Sequence, residues 1–244
     1  MTQSPIRKSA LLILALAVAG VFASRGVAAP APIVESNVAP LDQHTLDKHA
    51  NGVVKALRLE GAKADAVRGI LETHFQAVQA WHAAHAAELS ALWSEWSAAR
   101  TPPHQDEAKA AGIATQIYAA YAGFAPQHDA FIAALGRELK PEQIEKLKNV
   151  LTKKPGMQRT YKAYLQMIPT FTAEQKAVIH HKLEQARETS LDSASPKETI
   201  ALFKLRKVEI EAYIDAQGLD YKKAYAAFCA RIKEESEARK ERHE

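Results

Sequence analysis

Apolar residues recur along most of this chain at three- and four-residue intervals, the period of a helix with one buried face. The clearest stripe is Val67, Leu71, Val78, Trp81, Leu89, Leu92 and Trp96. It predicts one long helix over about 62–99, close to a coiled-coil seam in spacing. Before it, Val53, Val54, Leu57 and Leu59 close a first helix that stops at Gly61. After Thr101-Pro102-Pro103 comes an alanine-rich helix over about 105–139. Pro126 should kink or break it, because an interior proline loses a backbone hydrogen bond and clashes with the preceding turn.

The remaining boundaries are written in capping residues. Pro141 suits the first turn of a fourth helix reaching about 153, and Lys154-Pro155-Gly156 breaks the chain. A short helix around 160–167 is closed by Pro169. Thr172-Ala173-Glu174-Gln175 is a capping box, in which the Thr hydroxyl bonds an early amide and Gln175 reaches back. It opens a helix running to about 191. Ser195-Pro196-Lys197-Glu198 signals another start, with Ser as the cap and Pro in the first helical position. That helix is expected to run to Ala216 and to stop at Gly218. The last helix, from about Asp220, ends in a mixed-charge tail over 231–244, the pattern of a solvated helix end. No segment alternates with period two. The reading is all-α: a multi-helix array of amphipathic helices forming a single domain over 41–230.

The N-terminus adds a compartment. Arg7 and Lys8 precede an uncharged apolar run from Ala10 to Phe22, the form of a secretory signal peptide. The run is short for a membrane span, which needs roughly 20 apolar residues. Residues 1–29 are therefore expected to be a signal peptide, cleaved after Ala23 or near Ala28 or Ala29, and 30–40 an extended Pro/Ala-rich tether. The protein is expected to be exported, periplasmic or extracellular, with no stable membrane insertion after cleavage. Removing 1–29 takes Arg7, Lys8 and Arg25, and leaves 29 basic against 28 acidic residues. The whole-chain isoelectric point of about 9.0 thus overstates the charge of the working protein. Without a cationic excess, nucleic acid is excluded as a partner. Cys229 stands alone in an apolar helical stretch. It is expected to be a buried small residue, so that stability comes from packing rather than from an internal disulfide.

Two helix starts share an apolar–polar–small–Glu–Gln pattern: Leu139-Lys140-Pro141-Glu142-Gln143 and Phe171-Thr172-Ala173-Glu174-Gln175. The simpler account is a hydrophobic staple at each helix N-terminus.

A longer series of positions carries a family resemblance. It comprises Thr160-Tyr161-Lys162, Tyr164-Leu165, Met167, Pro169, Thr172, Glu174-Gln175-Lys176, Ala186-Arg187-Glu188, Asp192, Tyr213, Gly218, Asp220 and Lys222-Lys223-Ala224. In this order and spacing the chain resembles the exported bacterial proteins grouped as domain of unknown function family 3826. The likeness is strongest over 160–224 and weaker back to about Leu57. His82 and His128 also look like family positions. The resemblance implies work near carbohydrate degradation. Leu205 and Glu209 depart from it, standing where the family tends to carry Lys and Arg. The Glu-Gln helix starts are also similar, shallowly, to those of Spy/CpxP-type periplasmic chaperones.

Candidate chemistry is sparse. His82-x-x-His85 places two imidazoles one turn apart, with His74 on the same helix, and His82 and His85 are candidate metal ligands. Zinc needs three or four ligands, however, and neither a His-Glu-x-x-His nor a paired-Cys pattern supplies them. Tyr161, Lys162 and Tyr164 could line a shallow binding surface beside the 154–160 break, and tyrosine offers a flat face with a polar tip. The competing account packs Tyr161 and Tyr164 into the core. Arg187 is a further candidate binding residue, for which a surface ion network with Glu184 is the simple explanation. Trp93 and Trp96 could form an exposed aromatic patch, although Trp96 belongs to the buried stripe. No catalytic set and no cofactor are expected. The expectation is an exported, non-enzymatic helical binding protein that engages polypeptide or glycan. The alternatives are an enzyme or accessory factor in extracytoplasmic polysaccharide degradation, and a metal-handling protein.

Overall fold

A computed structural model of the chain describes residues 42–103, 105–153 and 156–241. The expected signal peptide and tether lie outside the described residues. Those residues form helices and connecting turns, with no strand among them. In order they are α1 (Gln43–Leu57), α2 (Gly61–Ala84), α3 (Ala86–Ala99), α4 (Glu107–Ala122), α5 (Ala125–Glu138), α6 (Pro141–Leu151), α7 (Met157–Met167), α8 (Ala173–Leu191), α9 (Pro196–Ala216) and α10 (Tyr221–Glu241).

The caps explain most boundaries. Asp42 accepts the Thr45 amide at 2.8 Å to start α1, and Asp106 accepts the Lys109 amide at 2.8 Å to start α4. At α8 the capping box forms in both directions: Thr172 Oγ1 accepts the Gln175 amide at 3.2 Å, and the Gln175 side chain accepts the Thr172 amide at 2.9 Å. Leu139 and Phe171, ahead of the two Glu-Gln starts, are both buried as staples should be. Gly156 and Gly218 have φ of +80° and +75°. At Gly156 an added Cβ would also lie 2.9 Å from the Lys153 carbonyl oxygen, so this turn requires glycine.

Two expected long helices are each divided. The 62–99 stripe bends at His85, whose Nδ1 lies 2.8 Å from the Trp81 carbonyl and competes with the helix ladder there. The 105–139 stretch turns at Gly123-Phe124, so Pro126 falls in the first turn of α5, where its missing amide costs nothing.

The apolar faces gather into three clusters. One joins the end of α2 with α3, α4 and the start of α9 around Trp93 and Ile117. The second joins α1, the start of α2, α5 and α6 around Leu71 and Leu135. The third joins α7, α8, the end of α9 and α10 around Ile179 and Ile210. Helix α2 is thus shared by the first two and α9 by the first and third, so these two helices tie the array together.

Three expectations are corrected here. Trp93 and Trp96 form no exposed patch: both are buried and meet edge to face at 5.9 Å. Cys229 is exposed, because α10 packs only along its Tyr221 face and turns the cysteine outward. Arg187 is itself buried, and its ion partners are Glu145 and Glu188 rather than Glu184.

Two measurements check this packing. Trp93→Ala should cost about 3–5 kcal/mol in urea unfolding, as for other buried large aromatics. Cys229 should react with a soluble thiol reagent in the folded protein as fast as in the unfolded chain.

Candidate functional site

The three apolar clusters meet at the turn between α8 and α9, and polar side chains fill that junction. The turn leaves carbonyl groups behind, as helix C-termini do. Two histidines of α2, eight residues apart and so on one side of the helix, take them up. His74 Nε2 lies 3.1 Å from the Leu191 carbonyl oxygen and His82 Nε2 lies 2.9 Å from that of Asp192. A carbonyl can only accept, so Nε2 carries the hydrogen in both rings. The His74 ring stacks on Phe131 at 3.8 Å, and its burial pushes the imidazole below the ordinary histidine range; the Leu191 carbonyl and Asp192 act the other way.

Two carboxylates complete the turn. Glu198, in the first turn of α9, is fully buried. Its Oε2 accepts the Ala194 amide at 2.6 Å, and its Oε1 accepts the Tyr121 hydroxyl of α4. His82 Nδ1 lies 3.6 Å from the same Oε1. Burial raises the Glu198 carboxyl above its usual value, with His82, Tyr121 and the Ala194 amide opposing it. Asp192 accepts from Nδ1 of His128, on α5, at 2.9 Å, and its other oxygen is 3.6 Å from His74 Nε2. This hydrogen bond is the chief cause of the raised His128 pKa, against the desolvation that lowers it.

The network then runs outward. His128 Nε2 is 3.9 Å from Glu188 Oε2, which Lys148 Nζ meets at 2.8 Å. Arg187 Nη2 reaches Glu188 Oε1 at 3.0 Å, and its Nη1 and Nη2 hold Glu145 of α6 at 2.8 and 3.2 Å. Glu145, Lys148, Arg187 and Glu188 form one wall of a groove of about 480 Å³, with His128 behind Glu188. Helix α6 supplies Glu145 and Lys148, α8 supplies His181, Glu184, Gln185, Arg187, Glu188 and Thr189, and α9 supplies Arg206. Arg206 is held by Glu209 at 2.9 Å, which also takes Lys182 at 3.1 Å. One of the two departures from the family pattern therefore neutralises cations at the groove's edge. The other, Leu205, is buried in the first cluster.

The sequence candidates scatter. Tyr164 is buried beside Tyr221 with ring centroids 6.3 Å apart, and burial raises its hydroxyl pKa strongly. Tyr161 is half-buried against His180 at 5.0 Å, and Lys162 is exposed. These three do not converge on one pocket. His82 faces the α8–α9 turn while His85 stacks on Trp81 at 4.5 Å, so the pair is directed at different partners. Among the described residues, no three His, Cys, Asp or Glu side chains gather as a metal ion would require. Arg187 alone of the candidates reaches the groove. Glu198 carried a visible signal only as a residue of a helix start, and nothing local pairs it with Tyr121.

Tyr121→Phe should leave Glu198 short of a donor and cost about 1–3 kcal/mol, read by chemical denaturation. The acid limb should trace to His74. Its folded pKa lies below 6.5, so the unfolded chain binds the proton first and stability falls as pH drops below 6.5. Melting temperature followed downward from neutral pH should fall less steeply in His74→Gln than in the wild type.

No curated protein matches the chain. The family model described as a protein of unknown function, DUF3826, matches residues 43–234, in line with the likeness read from about Leu57 to Ala224 and a little longer at each end. The chain belongs to the DUF3826 family of proteins of unknown function.

Proposed function

We propose that this is an exported helical binding protein that holds a neutral glycan in the groove between α6 and α8. The observation that carries the reading is the groove's lining: charged and amide side chains, each cation set against a carboxylate, around a volume of about 480 Å³. That volume falls within the roughly 300–1,000 Å³ common for small-ligand sites. Planar groups with two adjacent donors or acceptors, such as Glu184, Gln185 and the Arg187–Glu188 pair, match the neighbouring hydroxyls of a sugar. Because Glu145, Glu188 and Glu209 balance Lys148, Arg187 and Arg206, the groove suits hydroxyls better than a strongly acidic ligand. A polypeptide client would need apolar surface, and among the described residues Ile200 is the exposed large hydrophobic side chain. Export rests on the N-terminal leader pattern.

The reading of an enzyme or accessory factor in polysaccharide degradation has one supporting observation. Asp192 fixes His128 through Nδ1 while Nε2 is turned toward Glu188 of the groove. A ring held in this way takes up and gives back its second proton at Nε2, on the side of the groove wall.

Affinity electrophoresis through gels containing neutral polysaccharides tests the proposal. Retardation is expected on at least one polysaccharide. Glu184→Ala and Gln185→Ala should each weaken it about fivefold, the loss of one hydrogen bond, with an unchanged circular-dichroism spectrum. Free migration in every gel, with suppression of aggregation of an unfolded polypeptide, would contradict it. Release of reducing ends from the polysaccharide would favour the enzyme.

A further inference from the structure

We infer that His128 is a proton-dependent positioning residue for the groove, tying Glu188 to the α8–α9 turn when charged and releasing it when neutral. The inference rests on the groove being the ligand site and adds its regulation. His128 stands between two carboxylates of different fate. On one side Asp192 is buried and fixed, receiving Nδ1 at 2.9 and 3.2 Å. On the other, Glu188 is partly exposed, lines the groove and lies 3.9 Å from Nε2. A charged ring donates Nδ1–H to Asp192 and sets a second positive N–H 3.9 Å from Glu188, where it attracts the carboxylate without a hydrogen bond. A neutral ring keeps its Nδ1 hydrogen on Asp192, the stronger contact, and so turns a lone pair toward Glu188.

The other charged groups around His128 set the direction of the effect. From α2, His74 faces the same Asp192 carboxylate, and His82 holds the turn's carbonyl on the far side. Asp129 is the neighbour on its own helix, and behind Glu188 stand Lys148 of α6 and Arg187 of α8. Asp192, Glu188 and Asp129 all favour the charged ring, and its pKa is raised above the ordinary 6.5. The stability that this charge contributes is therefore fully present below pH 6.5 and is lost as pH rises through the raised value. On that rise Glu188 loses one of its three cationic neighbours. It is then held by Lys148 at 2.8 Å and Arg187 at 3.0 Å, both on the groove side.

Histidine ring NMR on the full chain, with no glycan added, tests this directly. The His128 ring should titrate above 6.5, and the Glu188 side-chain carboxyl carbon and the Arg187 Nε–H that bonds it should shift with the same midpoint. Glu188→Gln should lower that midpoint by roughly half a pH unit or more, the loss of a nearby opposite charge. It should also remove the response at the Arg187 Nε–H. A ring that only packs the turn would keep its midpoint in Glu188→Gln, and that result would overturn the inference. Titration of His128 at or below 6.5 in the wild type would do the same. Because no glycan is present, a failed polysaccharide gel and a failed proton coupling are separate outcomes.

Discussion

A carboxylate removed from water must be met by donors, since leaving one buried charge unpaired costs about 3–5 kcal/mol. The turn between α8 and α9 carries two such groups, Asp192 and Glu198, and the helices around it are arranged to meet them. Donors come from α4 through Tyr121, from α5 through His128 and from the turn itself through the Ala194 amide, while α2 bonds the turn's carbonyls through His74 and His82 and sets both rings 3.6 Å from the carboxylates. These side chains come from sequence positions 64 to 117 residues away from their partners where the ring–turn bonds are concerned. The junction therefore forms only when the first, second and third apolar clusters are all in place, and it locks their relative positions in return.

The same junction connects the interior to the surface. From Glu198 the contacts pass to His82, across the Asp192 peptide to its carboxylate, then to His128 and to Glu188 on the groove wall. Apolar packing supplies most of the cohesion of the array, but it is indifferent to small rotations of one helix against another. The directional hydrogen bonds at the turn are not. They fix the azimuth of α8, and so decide which of its side chains line the groove and which, such as Ile179 and Leu183, enter the core.

The helices were legible because their signals are local. Thr172 with Gln175, Ser195 with Pro196, and Pro141 each place a helix start within a few residues, and the α2–α3 stripe is carried by its own spacing. The family likeness singled out His82, His128, Arg187, Glu188 and Asp192, and these meet around one turn and one groove wall. Sequence pattern did not show what they do there. Arg187 next to Glu184 on α8 suggested a surface pair, whereas its guanidinium turns inward to Glu145 of α6, a partner 42 residues away. His82 and His85 suggested a metal pair by their i, i+3 spacing, but the bend at His85 sends the two rings apart. Glu198 was masked by its place in a capping segment, where an acidic residue needs no other reason. Cys229 was misjudged because an apolar run predicts burial only if another helix covers that face, and α10 is covered on the Tyr221 side alone.

The central claim is that the α8–α9 turn is held from within by buried polar groups rather than resting on the surface as an ordinary connection. Amide hydrogen exchange at Ala194 measures this most directly, because its amide lies outside both helices and its partner is the Glu198 carboxylate at 2.6 Å. The account predicts exchange as slow as that of amides in the middle of α9, with protection lost in Glu198→Ala. Exchange at the rate of an open loop in the wild type would contradict it.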